Sequence, residues 1–337
     1  MHFADLVEPL FARRHLTREE AHALMSFIMS GEATEAQIGA VLLSIRVKGT
    51  SPEELAAFAE VLRDHAVTVK HSYLDLVDTC GTGGGCASFN ISTGAAILAS
   101  AAGVRIAKHG NRAVSSKCGS ADVLEALGVD LHADHERLLH LLDTVGIIFM
   151  FAPAHHQAMR HVGATRKQLQ VRTIFNQLGP LANPAGATRQ LIGVYDPEML
   201  RPMAEALRTL GSERALIVHG DEGLDEISAT TTTRYAKLWD GEITEGQFQP
   251  QDFGFDPIAA DAIEPGENPE ENAEILREAI GEPKSERFLA ILPNAAAAVW
   301  LSGMEDDLSA ACERARQAAG LPAAEKLEEL VTASRLA

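Results

Sequence analysis

The strongest constraint on the fold is an alternation that begins at Leu74. Short apolar runs at Leu74–Val77, Val104–Ala107, Ile147–Phe151, Leu191–Val194 and Ala215–Val218 are separated by amphipathic helical stretches. Strands that alternate with helices pair in parallel, because each crossover helix returns the chain to the same end of the sheet. Ahead of this region, residues 1–67 read as four short helices. Phe3, Leu6, Val7, Leu10 and Phe11 recur at the helical period, and capping boxes stand at Thr17/Glu20, Thr34/Gln37 and Ser51/Glu54, the last with Pro52 at the first helical position. Tyr235–Trp239 and Glu242–Phe248 flank the favoured hairpin turn Asp240-Gly241, and the chain from Asn268 is mostly helical. The expected fold class is α/β: a small all-helical N-terminal domain (residues 1–70) plus a larger α/β domain (71–337) with a mainly parallel central sheet flanked by helices. A chain of 337 residues, 46% of them hydrophobic, can bury cores of that size.

Gly81-Thr-Gly-Gly-Gly85 follows the first apolar run and precedes Asn90-Ile-Ser-Thr93. Glycines let backbone N–H groups approach an anion, and Ser92/Thr93 is expected to open a helix whose N-terminus favours negative charge. Neither the P-loop nor the dinucleotide spacing is present, and alone such a loop is equally a tight connection. A second segment strengthens the reading as a phosphate cradle. Lys108, His109, Asn111, Arg112, Ser115, Ser116 and Lys117 concentrate donors in ten residues directly after an expected strand, a placement that suits a polyanion. The adjacent carboxylates Asp225-Glu226 follow a third strand and a turn. Oxygen ligands of that kind suit Mg²⁺, which shares its shell with substrate phosphates.

Composition removes several function classes. The net charge of −18 disfavours a nucleic-acid-binding face. The four cysteines, Cys80, Cys86, Cys118 and Cys312, show no C-x-x-C spacing, which supports neither a zinc knuckle nor a disulfide framework. The start Met1-His-Phe-Ala-Asp-Leu6 lacks the pattern of a signal peptide, and no apolar run approaches the roughly 20 residues of a membrane span. The expectation is a soluble cytoplasmic enzyme with neither a nucleic-acid nor a membrane partner.

Taken together and in order, Gly81-Thr-Gly-Gly84, Asn90-Ile-Ser-Thr93, Lys108-His-Gly-Asn-Arg-Ala-Val-Ser-Ser116, Gly119-Ser-Ala-Asp-Val-Leu-Glu-Ala-Leu-Gly128, Phe151-Ala-Pro153, Val171-Arg-Thr-Ile-Phe-Asn176, Leu178-Gly-Pro-Leu181 with Asn183-Pro184, and His219-Gly220 ahead of Gly223-Leu-Asp-Glu226 resemble the anthranilate phosphoribosyltransferases of tryptophan biosynthesis over nearly the whole chain. The resemblance implies transfer of a phosphoribosyl group from 5-phosphoribosyl 1-diphosphate to anthranilate, with Mg²⁺ on the diphosphate. It implies that Gly81, Gly84, Ser88, Asn90, Ile91, Ser92, Thr93, Lys108, Asn111, Arg112, Ala113, Ser115, Ser116 and Ser120 surround the phosphoribosyl diphosphate. Ser92, Asp225 and Glu226 would hold the metal, directly or through water. Anthranilate would be met by Gly81, His109, Asn111 and Arg166, with Pro153 and His156 along its approach. It further implies that residues near 155–185 rejoin the helical domain, leaving the ligands in a cleft between two lobes, and that two copies associate as a homodimer through helical-domain surfaces.

The resemblance has one departure. Gly85 stands where the family usually has an aspartate, and the loop to Asn90 is one residue shorter. Read without the family, Arg166 is as easily a surface arginine of the helical segment Arg160–Gln170, and His155 and His156 a polar helix start. The amine of anthranilate is largely uncharged at neutral pH and needs no strong base. The chemistry therefore requires positioning and stabilisation of the leaving diphosphate more than a proton acceptor. A pyrimidine nucleoside phosphorylase of the same fold is the nearest alternative, against which His109-Gly-Asn-Arg112 speaks; a non-catalytic relative is the other.

Overall fold

In the computed structural model, which describes residues 2–113 and 117–335, the chain opens with helices α1 (Phe3–Phe11), α2 (Arg18–Met29), α3 (Glu35–Lys48) and α4 (Pro52–Asp64). All three expected capping boxes form. Thr17, Thr34 and Ser51 each accept from the amide three residues on, while Glu20, Gln37 and Glu54 accept from the amide of the cap residue. Donors that would otherwise be orphaned at each helix start are thereby satisfied within four residues.

Five parallel strands with their crossovers follow: β1 (Val77–Gly81), α5 (Ile91–Ala101), β2 (Ile106–Gly110), α6 (Ser120–Leu127), α7 (His135–Thr144) and β3 (Ile147–Phe151), then α8 (Ala152–His155), α9 (Arg160–Leu169) and α10 (Phe175–Leu178), then β4 (Arg189–Gly193), α11 (Leu200–Thr209) and β5 (Arg214–Gly220). The expected hairpin forms as β6 (Thr233–Trp239) and β7 (Glu242–Phe248), with Asp240 and Gly241 both at positive φ in its turn. Helices α12 (Pro269–Gly281), α13 (Glu286–Ser302), α14 (Leu308–Gln317) and α15 (Leu321–Arg335) complete the chain. None of the described helices is long and apolar enough to cross a membrane.

The strands lie in the order β3-β2-β1-β4-β5-β6-β7, parallel from β3 to β5 and antiparallel thereafter. Successive strands are laid down from β1 toward one edge and then from β4 toward the other. The order therefore reverses between β1 and β4, where the carboxyl ends of an open α/β sheet leave a crevice.

Period-two alternation splits the sheet into two faces. On β5, Leu216 and Val218 join the core made with α5, α12, α13 and α15, whereas Ala215 and Ile217 join a second core with α1–α4 and α9–α11. Each fully buried Leu, Ile or Val contributes roughly 1.5–3 kcal/mol.

Two expected strands are displaced toward the C-terminus. Leu74 is 84% exposed, and β1 runs through Asp78 and Thr79 to Gly81. Similarly, β2 runs through Lys108 and His109. Apolar content misplaced both strands, because at the centre of the sheet backbone pairing fixes the register, with Gly81 opposite Gly193 and His109 opposite Met150. The buried Asp78 and Lys108 find partners in the His109 amide, Asn183, the Thr79 carbonyl and Ser92.

Candidate active site

The glycine loop leaves β1 at the reversal point of the sheet and meets the chain leaving β4. Thr82 donates its amide to the Gly193 carbonyl at 2.8 Å, and the Thr82 hydroxyl accepts from the Tyr195 amide at 3.1 Å. Over this junction passes the segment 223–226. A Cβ on Gly81 would lie 2.8 Å from Asp225 Oδ2, and one on Gly193 would run into the Asp225 carbonyl. The close approach of Asp225 thus requires glycine at both strand ends.

Asp225 Oδ2 accepts from the Gly83 amide at 2.9 Å, and the Gly223 carbonyl accepts from Cys86 at 2.8 Å. Glu226 is drawn to the first turn of α5, where the hydroxyl and amide of Ser92 favour its charged form. The acidic pair therefore holds donors at both places where the sequence suggests a bound anion. Burial raises the Asp225 carboxyl above its ordinary value, opposed by its own amide and that of Gly83. Burial and the Asp225 charge raise Glu226 to about 8, against the pull of Lys108 and Ser92. Two crowded carboxyls and a hydroxyl form an all-oxygen donor set with a deficit of positive charge, which fits Mg²⁺. Gly85 belongs to the same packing, because a Cβ there would stand 2.6 Å from the Gly223 carbonyl and 2.7 Å from Asp225 Oδ1.

Helix α5 starts at Ile91 with Asn90 at its cap, one or two residues earlier than Ser92/Thr93 suggests. The Asn90 side-chain amide donates to the Cys118 carbonyl at 3.2 Å. Ile91 packs in the core and donates its amide to Phe89, while Ser92 and Ser88 are half-buried.

Lys108 and His109 are buried side chains of β2. Lys108 Nζ donates to the Thr79 carbonyl and to Ser92 Oγ. Burial lowers its pKa, while the Asp78 charge raises it. Asp78, fully buried in β1, accepts from the His109 amide at 3.1 Å and from Asn183 Nδ2 at 2.7 Å. The His109 and His156 rings lie 5.0 Å apart. Burial, then the His156 neighbour, depresses His109 to about 3; burial, then His155, depresses His156 to about 4.

His109 Nε2 and both ring nitrogens of His156 are buried without a partner, as are Asn90 Oδ1 and Thr93 Oγ1. These are five of the nine such side-chain atoms among the described residues. Leaving a buried polar group unmade costs about 1–3 kcal/mol, so the paired His109 and His156 rings at the end of β2 and the Asn90 side chain at the start of α5 are places where a ligand can supply a missing partner.

The remaining expected residues fall around this centre. Arg166 on α9 lies 5.4 Å over the Phe175 ring, its pKa lowered by burial, and makes no ion pair among the described residues. Such a guanidinium is ready for a planar carboxylate. Pro153 is exposed in the first turn of α8. His155 is tied to the Val67 carbonyl at 2.7 Å. Asn111 is exposed and accepts from the Arg112 amide. Arg112 itself is committed to Asp122 at 3.0 Å and Glu125 at 2.7 Å, and the Ala113 amide also goes to Asp122. Ser120 begins α6 and donates to the Asn111 carbonyl at 3.4 Å. Gly84, at φ +84, is exposed beside Arg172. Ser115 and Ser116 lie outside the described residues. Asp78 and Arg172 are the residues that sequence reasoning missed; a lone acid in an apolar run and an arginine within a motif carry no local signal of their partners.

Comparison with known proteins shows the family and the fold. Residues 4–66 match the description "Glycosyl transferase family, helical bundle domain" and residues 74–320 match "Glycosyl transferase family, a/b domain". The anthranilate phosphoribosyltransferase of Ectopseudomonas mendocina is 45% identical, the match covering 98% of this chain and 97% of the relative. That of Chromohalobacter salexigens is 44% identical, covering 100% and 98%. Among solved structures, the anthranilate phosphoribosyltransferase of Thermus thermophilus superposes with a TM-score of 0.91 at 39% identity, covering 98% of this chain and 100% of that one. The Saccharomyces cerevisiae enzyme in complex with PRPP and Mg superposes with a TM-score of 0.89 at 27% identity, covering 98% and 97%. The same yeast enzyme with 4-fluoroanthranilate gives 0.86 at 26%, covering 99% and 98%.

Proposed function

The chain belongs to the anthranilate phosphoribosyltransferase family, and from that premise we propose how it moves the phosphoribosyl group of 5-phosphoribosyl 1-diphosphate onto the amine of anthranilate, releasing diphosphate. This reaction is the second step from chorismate to tryptophan. The observation that supports the assignment of the site is the acidic pair Asp225-Glu226 held over the glycine loop at the reversal point of the sheet, with the buried Lys108 bonded to Ser92 beside it.

In this reading Gly81, Gly84, Ser88, Asn90, Ile91, Ser92, Thr93, Lys108, Asn111, Arg112, Ala113, Ser115, Ser116 and Ser120 line the phosphoribosyl diphosphate region. Lys108 is anchored to Thr79 and Ser92 and acts as a fixed positive charge beneath the leaving group. A preorganised charge in a dry site contributes a few kcal/mol, on the order of 3–4, to the transition state. The free Asn90 Oδ1 can accept only from a sugar hydroxyl, whereas the Thr93 hydroxyl can donate to a phosphate oxygen. Asp225, Glu226 and the Ser92 hydroxyl would hold Mg²⁺, which when bound neutralises charge on the diphosphate.

Arg166 binds the anthranilate carboxylate and orients the ring against Gly81, Asn111, Pro153, His109 and His156. Because both histidines are held neutral, they present lone pairs or N–H groups to the arylamine without placing a positive charge beside the cationic sugar. No general base is required. Orienting the two reactants accounts for up to roughly 7–11 kcal/mol of barrier. We assign a helical domain to residues 1–70, rejoined near 155–185, and an α/β domain to 71–337, with the cleft between these two lobes. We assign the enzyme to the cytoplasm as a homodimer; the exposed Phe11 and Val47 of the helical region support a helical-domain contact.

Mixing the purified protein with anthranilate and 5-phosphoribosyl 1-diphosphate should quench anthranilate fluorescence with Mg²⁺ present and not with EDTA. A folded protein that leaves the fluorescence unchanged with Mg²⁺ would overturn the reading.

A further inference from the structure

We infer that Arg172 is a positioning residue of the phosphoribosyl diphosphate site, a strap that fixes the glycine loop from the helical side of the cleft. Arg172 lies between α9 and α10, in the segment that packs with α3. Its own carbonyl accepts from Arg46 of α3 at 2.7 Å, which fixes the backbone from which the side chain reaches out. Its guanidinium Nη2 donates to the Gly84 carbonyl, and Cζ sits 4.0 Å from the centre of the Tyr195 ring. Tyr195 follows β4 and is joined to the glycine loop through Thr82.

Glycine at position 84 is required by its backbone conformation, and the guanidinium occupies the space that its missing side chain leaves. A Cβ there would lie 2.7 Å from Nη2, and the residue already has φ +84. A planar, delocalised cation can stack on the ring and reach the carbonyl at once, which a lysine ammonium cannot do.

The result is a loop held from two directions. The Gly83 amide is drawn to Asp225 on the α/β side, and the Gly84 carbonyl is drawn to Arg172 on the helical side. Orientation of the Gly83–Gly84 peptide, and with it the aim of the loop amides at an anion, depends on both. The functional half of this inference rests on the reading of the site given above; the strap itself rests on the geometry alone.

The experiment uses the full chain with Arg172→Ala, Arg172→Lys and Tyr195→Leu, and two readouts. Amide hydrogen exchange over residues 82–86 without ligands should accelerate about tenfold in Arg172→Ala, with a smaller rise in Tyr195→Leu. Calorimetric binding of Mg²⁺ and 5-phosphoribosyl 1-diphosphate should weaken about tenfold in Arg172→Ala and nearly as much in Arg172→Lys. The KM for anthranilate should stay within twofold and kcat within about threefold. Unchanged exchange over 82–86 would remove the strap. Full recovery of diphosphate binding by Arg172→Lys would reduce Arg172 to a charge, and an equal rise in both KM values would make its role merely structural; either overturns the inference. Tyr195→Leu keeps the test decisive should Arg172→Ala fail to fold. If the wild-type chain bound no phosphoribosyl diphosphate while Arg172→Ala still loosened the loop, the proposed function would fall and the strap would stand.

Discussion

His109 and His156 show how burial sets chemistry one residue at a time. Their ordinary pKa is 6.5, and the folded chain lowers them to about 3 and about 4, chiefly by burial. Between pH 6.5 and about 4 the unfolded chain therefore binds protons that the folded chain refuses. Stability is complete above pH 6.5 and is lost as the pH falls, by about 1.4 kcal/mol per pH unit for each histidine. Asp78, Asp225 and Glu226, whose pKa values are raised, act with the opposite sign. The pair is isolated by comparing wild type with His109→Gln/His156→Gln in denaturant titrations from pH 4 to 8. The variant should show a flatter acid limb; identical slopes would contradict the neutral-pair assignment.

The junction of α3 and α4 makes the corresponding point for elements. Glu54 begins as half of a capping box, accepting from Ser51 at 2.8 Å, but its carboxylate also takes the Leu16 amide at 2.7 Å, His15 at 2.9 Å and Lys48 Nζ at 2.7 Å. Only 1% of Glu54 is exposed. Burial would raise its pKa, yet the Leu16 amide, Lys48, Ser51 and His15 together hold it below the ordinary value. Removing one member of a buried pair leaves an uncompensated charge and costs about 3–5 kcal/mol, whereas loss of an exposed cap costs ~1 kcal/mol. Chemical denaturation should therefore find Glu54→Ala destabilised several times more than Thr34→Ala. Equal losses would show the pair to be no more than a cap.

At the scale of the whole molecule, the first four helices do not enclose a core of their own. Their buried residues form one cluster with Ile192 and Val194 around β4, with Met203 and Leu207 of α11, and with Ala215 and Ile217 of β5. A cluster shared with one face of the central sheet predicts that the helices and the sheet unfold together. Calorimetry on the ligand-free protein should give a single transition whose van't Hoff and calorimetric enthalpies agree. Two resolved transitions would mean that the helical part folds independently. The same shared packing gives Arg172 a fixed base from which to reach across to the glycine loop.

The amino-acid sequence alone determined what depends on neighbours in the chain. The three capping boxes, the Asp240-Gly241 turn and the strand–helix alternation are set by contacts a few residues apart or by periodicity and are visible in short windows, while the family motifs are read from their order along the chain. Tertiary structure alone decided which residues meet. The Gly83 amide finds Asp225 142 residues away, Asn183 reaches Asp78 across 105, and Arg172 reaches Gly84 across 88. It also decided that Lys108 is a buried strand residue and that Arg112 is taken up by Asp122 and Glu125. Those outcomes follow from burial and long-range hydrogen bonding, which no local pattern encodes, because a polar group in a strand is affordable only when a distant partner arrives to satisfy it.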